Sequence, residues 1–241
     1  MVGARPCRRI EQNERGGTAF VAGDGITVFA EPGAYAVSAH RHPVWKAVLP
    51  RSGEVSVDGA TGAAGAGVLV PPQYAHTCAA SSGFVAVFLD PWCVRADPSG
   101  PTWLGARTAR RLLDALGHGG LGVDVEALRR ELAAAAGPPA TVDPRVVCAV
   151  RGSARAARLD TLAADVGLSP ARLRALVRTE VGIPLGALRR WQRLRTAVGA
   201  LVADGGAIAA AASDAGFADQ AHLTRTVRTL AGRTPGSLLT R

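Results

Sequence analysis

The 241-residue chain reads as an α+β multidomain protein: an N-terminal antiparallel β-barrel followed by helices, then an all-α C-terminal domain with two helix-turn-helix units. Three observations predict this. Apolar runs of strand length, separated by glycine, fill residues 18–92. Helical periodicity takes over after residue 103. One stretch also occurs twice, as LAADVGLSPARLRALVRTEVGIPLGAL (162–188) and AASDAGFADQAHLTRTVRTLAGRTPGSL (211–238). Leu173, Val177, Arg178, Gly182 and Leu188 of the first copy recur as Leu223, Val227, Arg228, Gly232 and Leu238 of the second. Each copy has a short helical pattern, a glycine turn and a second helix bearing arginine, which is the outline of a helix-turn-helix.

Taken in order, TAFVAG, GITVFAE, AYAVSAH, WKAVLP, GEVSVDG, GVLVPP and GFVAVFLD are the expected strands, given their alternation and evenly spaced turn signals. The small-residue segment ATGAAGAG (60–67) is expected to be a loop. Residues 106–117 and 124–136 are expected helices, striped by Leu112, Leu113 and Leu116 and by Val125, Leu128 and Leu132. Asp124 is the expected N-cap of the second, and Gly117 and Gly137 are stops. These two helices either form a homodimer seam or cover one face of the barrel. GPPATVDP (137–144) is the linker. The resulting division is a β domain over 1–103, a helical segment over 104–142 and a DNA-binding domain over 143–241.

In the last of these, Asp143-Pro144 starts a helix over 144–151, and Asp160 is expected to cap a short helix that runs through Val166 to Gly167. Ser169-Pro170 opens a helix to about Val181, with Leu173, Leu176 and Val177 on its apolar face and Arg172, Arg174 and Arg178 off it. Residues 184–203 form one long helical pattern. At 1.5 Å per residue it spans about 30 Å, close to the ~34 Å between successive major-groove faces. The second reading helix starts near Asp219. It buries Leu223, Val227 and Leu230 and turns Gln220, Ala221, Thr224, Arg225 and Arg228 outward.

Charge points the same way. The chain carries a formal +9, and residues 141–241 hold fifteen arginines against seven acidic residues, so nearly all of the excess lies in the half with the repeat. That half is suited to a polyanion, bound with salt sensitivity. The sequence has no apolar window long enough for a membrane span and no secretory signal at its N-terminus, so a cytoplasmic location is expected. Cys7, Cys78, Cys93 and Cys148 are widely spaced and expected to be reduced thiols.

The segment ADVGLSPARLRALVRTEVGIPL, continued by RWQRLRTAVGAL and by GFADQAHLTR with GRTPG, resembles the paired helix-turn-helix domain of the AraC/XylS family of bacterial transcription regulators. The resemblance covers roughly residues 143–241. It implies double-stranded DNA and RNA polymerase as partners, and an N-terminal domain that senses a small molecule or drives assembly into a homodimer. By position it assigns base reading to Ala171, Arg172 and Arg174 and to Gln220, Ala221, Thr224 and Arg225. Arg178 and Arg228, further along their helices, are expected at phosphates. Val177 and Val227 stand where the family usually has an aromatic residue.

The β segment carries GAYAVSAHRH (33–42) and GVLVPPQYAHTC (67–78). On a strand, residues two apart share a face, so His40 with His42, and His76 with Cys78, can point into one cavity. The pattern resembles a cupin barrel, in which histidines matching His40, His42 and His76 hold a metal ion. Neutral imidazoles suit zinc or a similar divalent transition metal, with Cys78 as a further donor. The acid expected after the histidines is missing: Pro43, Val44, Trp45 and Lys46 follow instead, and Gln73 replaces the usual glycine of the second motif. The alternative is an organic-effector pocket without metal, lined by Trp45 and Tyr74. No catalytic constellation stands out, so an enzyme is not expected. A cupin metalloenzyme fused to a DNA-binding domain is the runner-up.

Overall fold

A computed structural model describes residues 11–15, 18–23, 25–58, 64–117, 122–154 and 158–238. Its β half consists of two antiparallel sheets. The larger runs in the order β1 (Glu11–Arg15), β2 (Thr18–Gly23), β3 (Ile26–Glu31), β10 (Phe84–Leu89), β5 (Trp45–Pro50), β8 (Val68–Val70) and β11 (Thr102–Trp103). The smaller runs β4 (Tyr35–His40), β9 (His76–Ala80), β6 (Val55–Val57) and β7 (Ala64–Gly65). All seven expected runs form strands. His76 and Cys78 lie on β9, the strand on which they were expected to share a face, whereas the polar EQNER of β1 carries no strand signal and is recruited by pairing with β2. β7 lies inside the stretch expected to be a loop, of which residues 60–63 fall outside the described residues.

β3 and β5 are buried along their whole length, because both faces of the large sheet are covered. Alternation sorts their side chains. Val28, Trp45, Ala47, Leu49, Val85, Val87 and Leu89 face the helices α1 (Ala106–Leu116) and α2 (Val125–Ala136), whose Leu112, Leu116, Leu128 and Leu132 complete that core. The stripes therefore cover the sheet, which is one of the two readings left open for them. Asp124 caps α2, its side chain accepting from the Ala127 N–H at 2.9 Å. The opposite face carries Phe20, Phe29, Val48, Phe84, Ala86 and Phe88 and meets the smaller sheet and the C-terminal helices.

The C-terminal half contains α3 (Pro144–Gly152), α4 (Leu159–Ala164), α5 (Pro170–Val181), α6 (Leu185–Asp204), α7 (Ile208–Asp214) and α8 (Gln220–Ala231). Asp143, Ser169 and Asp219 each accept from a backbone N–H of the helix they precede, as expected of N-caps. One boundary differs. α4 starts after Arg158, with no side-chain cap, and ends at Ala164. Asp160 lies inside its first turn, where a carboxylate favours the positive end of the helix without capping it.

The duplication is structural. Leu173, Leu223, Val177 and Val227 are all fully enclosed. Gly182 and Gly232 end α5 and α8 in the left-handed region, at φ 74° and 69°. The surroundings of the two units differ. The first packs with α3 and Trp92, whereas the second shares one core with Phe20, Phe29 and Val44 of the β half. Cys78, Cys93 and Cys148 form no disulfide among the described residues, and Cys7 lies outside them. Among the described residues, no helix is long and apolar enough to cross a membrane.

Candidate metal centre and DNA-binding face

Pro170 and the Ser169 cap fix the start of α5, and its leucine–valine stripe fixes its rotation. Ala171, Arg172, Arg174 and Arg178 are left in solvent. The Asp219 cap and the same stripe do this for α8, exposing Gln220, Ala221, Arg225 and Arg228. Thr224 is half-buried, and its hydroxyl donates to the Gln220 carbonyl at 2.9 Å. Two equivalent helices thus present arginines on open faces. The N-terminal turn of each is capped, by Ser169 and by Asp219.

Between the two sheets His40, His42 and His76 come together, with one ring nitrogen of each within 4.8 Å of the others. Local geometry produces this. β4 and β9 pair Val37 with Cys78 and His40 with His76, so β4 holds one extra residue between them. This bulge leaves both Ser38 and Ala39 outward and returns His40 to the interior. Ring centroids lie 4.2 Å apart for His40–His76, 5.2 Å for His42–His76 and 5.8 Å for His40–His42.

Each ring is tethered the same way. Nδ1 of His40, His42 and His76 lies 2.9, 2.7 and 3.0 Å from the carbonyls of Ser38, Val44 and Tyr74. A carbonyl only accepts, so Nδ1 carries the proton and the lone pair is on Nε2. Burial is the main cause that keeps the imidazoles neutral: it lowers His40 to about 3 and His76 to about 4, and holds His42 well below its ordinary value. Nε2 of His42 and of His76 are buried without a hydrogen-bond partner among the described residues. Backbone-tethered imidazoles with free, converging lone pairs are the donor arrangement of a transition-metal site. Three imidazoles and one open position suit zinc.

Cys78 is not in this group. It lies one pleat further along β9, buried among Val48, Val55, Val57 and Phe84, and burial raises its thiol pKa. Lys46 occupies the region where an acid was expected. Strand alternation turns it to the interior, fully enclosed, with Nζ 3.3 Å from His40 Nε2. That is its one polar partner among the described residues, and burial lowers its pKa. Gln73 does adopt the backbone conformation for which the motif uses glycine, φ 64°, and its N–H donates to the His42 carbonyl at 2.7 Å.

Trp45 does not line a pocket on this side. Its neighbour in the alternation, Lys46, faces inward, so the indole points to the helix-covered face and donates to the Pro91 carbonyl at 3.2 Å. Tyr74 is half-buried and donates to Asp58 Oδ2 at 3.3 Å. A cavity of about 80 Å³ exists elsewhere, between the large sheet, α6 and α8, lined by Phe20, Phe29, Phe88, Trp191, Leu194 and Val198, with Lys46 at its wall. Sequence reasoning missed it because its two walls are 150 residues apart. The GITVFAE strand gives Phe29, and the long helix gives Trp191.

The β half also holds α8 directly. Ser38 donates to the Gly232 carbonyl through both its N–H (3.0 Å) and its hydroxyl (2.8 Å), and the Arg41 N–H donates to the Thr229 carbonyl at 3.1 Å. Arg233 makes a buried ion pair with Glu31 at 2.7 Å and lies 4.0 Å over the Tyr35 ring.

The profile of a family described as "Helix-turn-helix domain" matches residues 162–241. No curated protein matches the chain. Among solved structures, ToxT from Vibrio cholerae at 1.65 Å resolution has a TM-score of 0.56 at 10% identity, over 89% of this chain and 97% of that one. ToxT from the same species with an unsaturated fatty acid bound has a TM-score of 0.53 at 11% identity, over 99% and 97%. An AraC-type transcriptional regulator from Chromobacterium violaceum aligns at 24% identity and a TM-score of 0.37, over 40% of this chain and 89% of that one. The two-domain fold with a C-terminal tandem helix-turn-helix is thus shared along nearly the whole chain.

Proposed function

We propose that this chain is a transcription regulator of the AraC type, with the matched helix-turn-helix domain over residues 162–241 and a β half that loads a divalent transition-metal ion on His40, His42 and His76. One observation carries the reading: three buried, backbone-tethered imidazoles bring one ring nitrogen each within 4.8 Å of the others. Nε2 of His42 and of His76 have no other partner among the described residues. The ion supplies a positive charge and fixed bond directions there. The chain's own residues do the rest. β4 positions His40 and the loop after it positions His42, while β9 positions His76, so loading ties that loop to the already paired ends of β4 and β9. β4 in turn holds the end of α8 through Ser38 and Arg41. Loading biases the seating of the second reading helix, and hence affinity for DNA, by linkage. Contact with RNA polymerase and self-association belong to the same reading.

A second reading is favoured by the apolar cavity beside α6. It is an organic effector held between the sheet and the DNA-binding half, a ligand class in keeping with the fatty acid in the ToxT structure of similar fold. Elemental analysis of the full chain purified without chelator tests the metal reading. About one ion per chain, lost in His76→Ala, is the expected result. Metal-free protein that still answers to an organic effector favours the cavity instead.

A further inference from the structure

Lys46 and the metal reading draw on one lone pair. His40 Nδ1 is committed to the Ser38 carbonyl, so Nε2 has a single acceptor position, and Lys46 Nζ lies 3.3 Å from it. A metal ion on His40 and a hydrogen bond from Lys46 are mutually exclusive. Two cations this close also repel strongly, because the site is enclosed and poorly screened.

We propose that Lys46 is a built-in competitor for the metal, and that loading the triad drives its amine out of the triad and into the cavity against α6. This rests on the metal reading of the triad. The direction of movement follows from the walls. Lys46 stands on β5 with the three histidines on one side and the cavity lined by Phe20, Phe88, Trp191 and Leu194 on the other. Trp191 already stacks on Phe88 at 4.8 Å between centroids, and the Lys46 amine lies 5.9 Å from that same Phe88 ring. Turning the side chain brings the amine to the aromatic pair that joins the sheet to α6. Arg195 and Arg233 line the same cavity. A third cation among them loosens the packing of α6 on the sheet, and α6 is the rod that spaces the two reading helices. Lys46 is thus a second route, beside the β4 contacts with α8, by which occupancy of the triad reaches the DNA-binding half, and it also sets the affinity of the triad.

The test uses the full chain stripped with a chelator and titrated with zinc against a chromogenic competitor, as wild type and as Lys46→Met. Methionine keeps the length of the stem without the amine and is tolerated in apolar surroundings. One ion per chain is expected in both, bound about tenfold or more tightly in the variant. Zinc is also expected to shift Trp191 emission in wild type. That shift is absent from Lys46→Met, and Trp191→Phe identifies it. Equal or weaker zinc affinity in Lys46→Met overturns the proposal, as does a Trp191 response that survives the substitution. If neither chain binds zinc, the metal reading falls and this falls with it.

Discussion

Gln73 holds φ 64°, where a side chain costs about 1–2 kcal/mol that glycine avoids. Its N–H bond to the His42 carbonyl is kept by any residue except proline. Gln73→Gly is therefore expected to raise the denaturation midpoint, by about 1 kcal/mol of stability, without loss of metal. A lowered midpoint measured by circular dichroism would refute this. On the proposed DNA face, Arg225 is exposed near the start of α8, and the proposed reading has it pair bidentately with guanine. Arg225→Ala should weaken specific binding by about 1–3 kcal/mol and relax preference at one base position. Arg228→Ala should weaken all sequences alike. Equal losses on specific and random duplexes for Arg225→Ala, in an electrophoretic shift assay, would remove it from base reading.

At the scale of elements, the two reading helices are copies in different settings. A Cβ on Gly182, at the end of α5, meets nothing within 4 Å. A Cβ on Gly232, at the end of α8, collides with the Ser38 carbonyl and lies 2.8 Å from His40 Nδ1. Gly182→Ala should cost only the left-handed strain, about 1–2 kcal/mol. Gly232→Ala should cost clearly more and disturb zinc binding through His40. Urea melts of the two variants compare them directly, and equal costs would mean that β4 does not grip α8. The repeat made the helices, their caps and their stops legible in the sequence, since leucine and valine at fixed spacing and a Ser or Asp cap are local signals. β1 was not legible, because EQNER becomes a strand only through its partner. Nor was the bulge in β4 that returns His40 to the interior, although the two histidine motifs were.

For the molecule as a whole, the β half and the helical C-terminal half share a core and a buried ion pair. Those long-range contacts are invisible to periodicity, which finds each element's apolar face but not the surface it meets. Lys46 shows the limit. The sequence places it where an acid was expected, but only the sheet's alternation shows that it enters the triad. Breaking the Glu31–Arg233 pair by Glu31→Gln leaves a buried guanidinium poorly compensated and should cost about 3 kcal/mol. The loss should appear in α8 and β4 together by hydrogen exchange, and protection lost in only one of them would contradict a shared unit. The account's central claim is that one chain reads DNA through two helices and that a metal on three histidines governs the reading. Selection from a randomised duplex pool tests it most directly, run with chelator-stripped full-length protein and again with one equivalent of zinc. The account predicts a motif of two blocks about one helical turn apart, enriched to different extents in the two runs. No motif in either run, or identical enrichment in both, would contradict it.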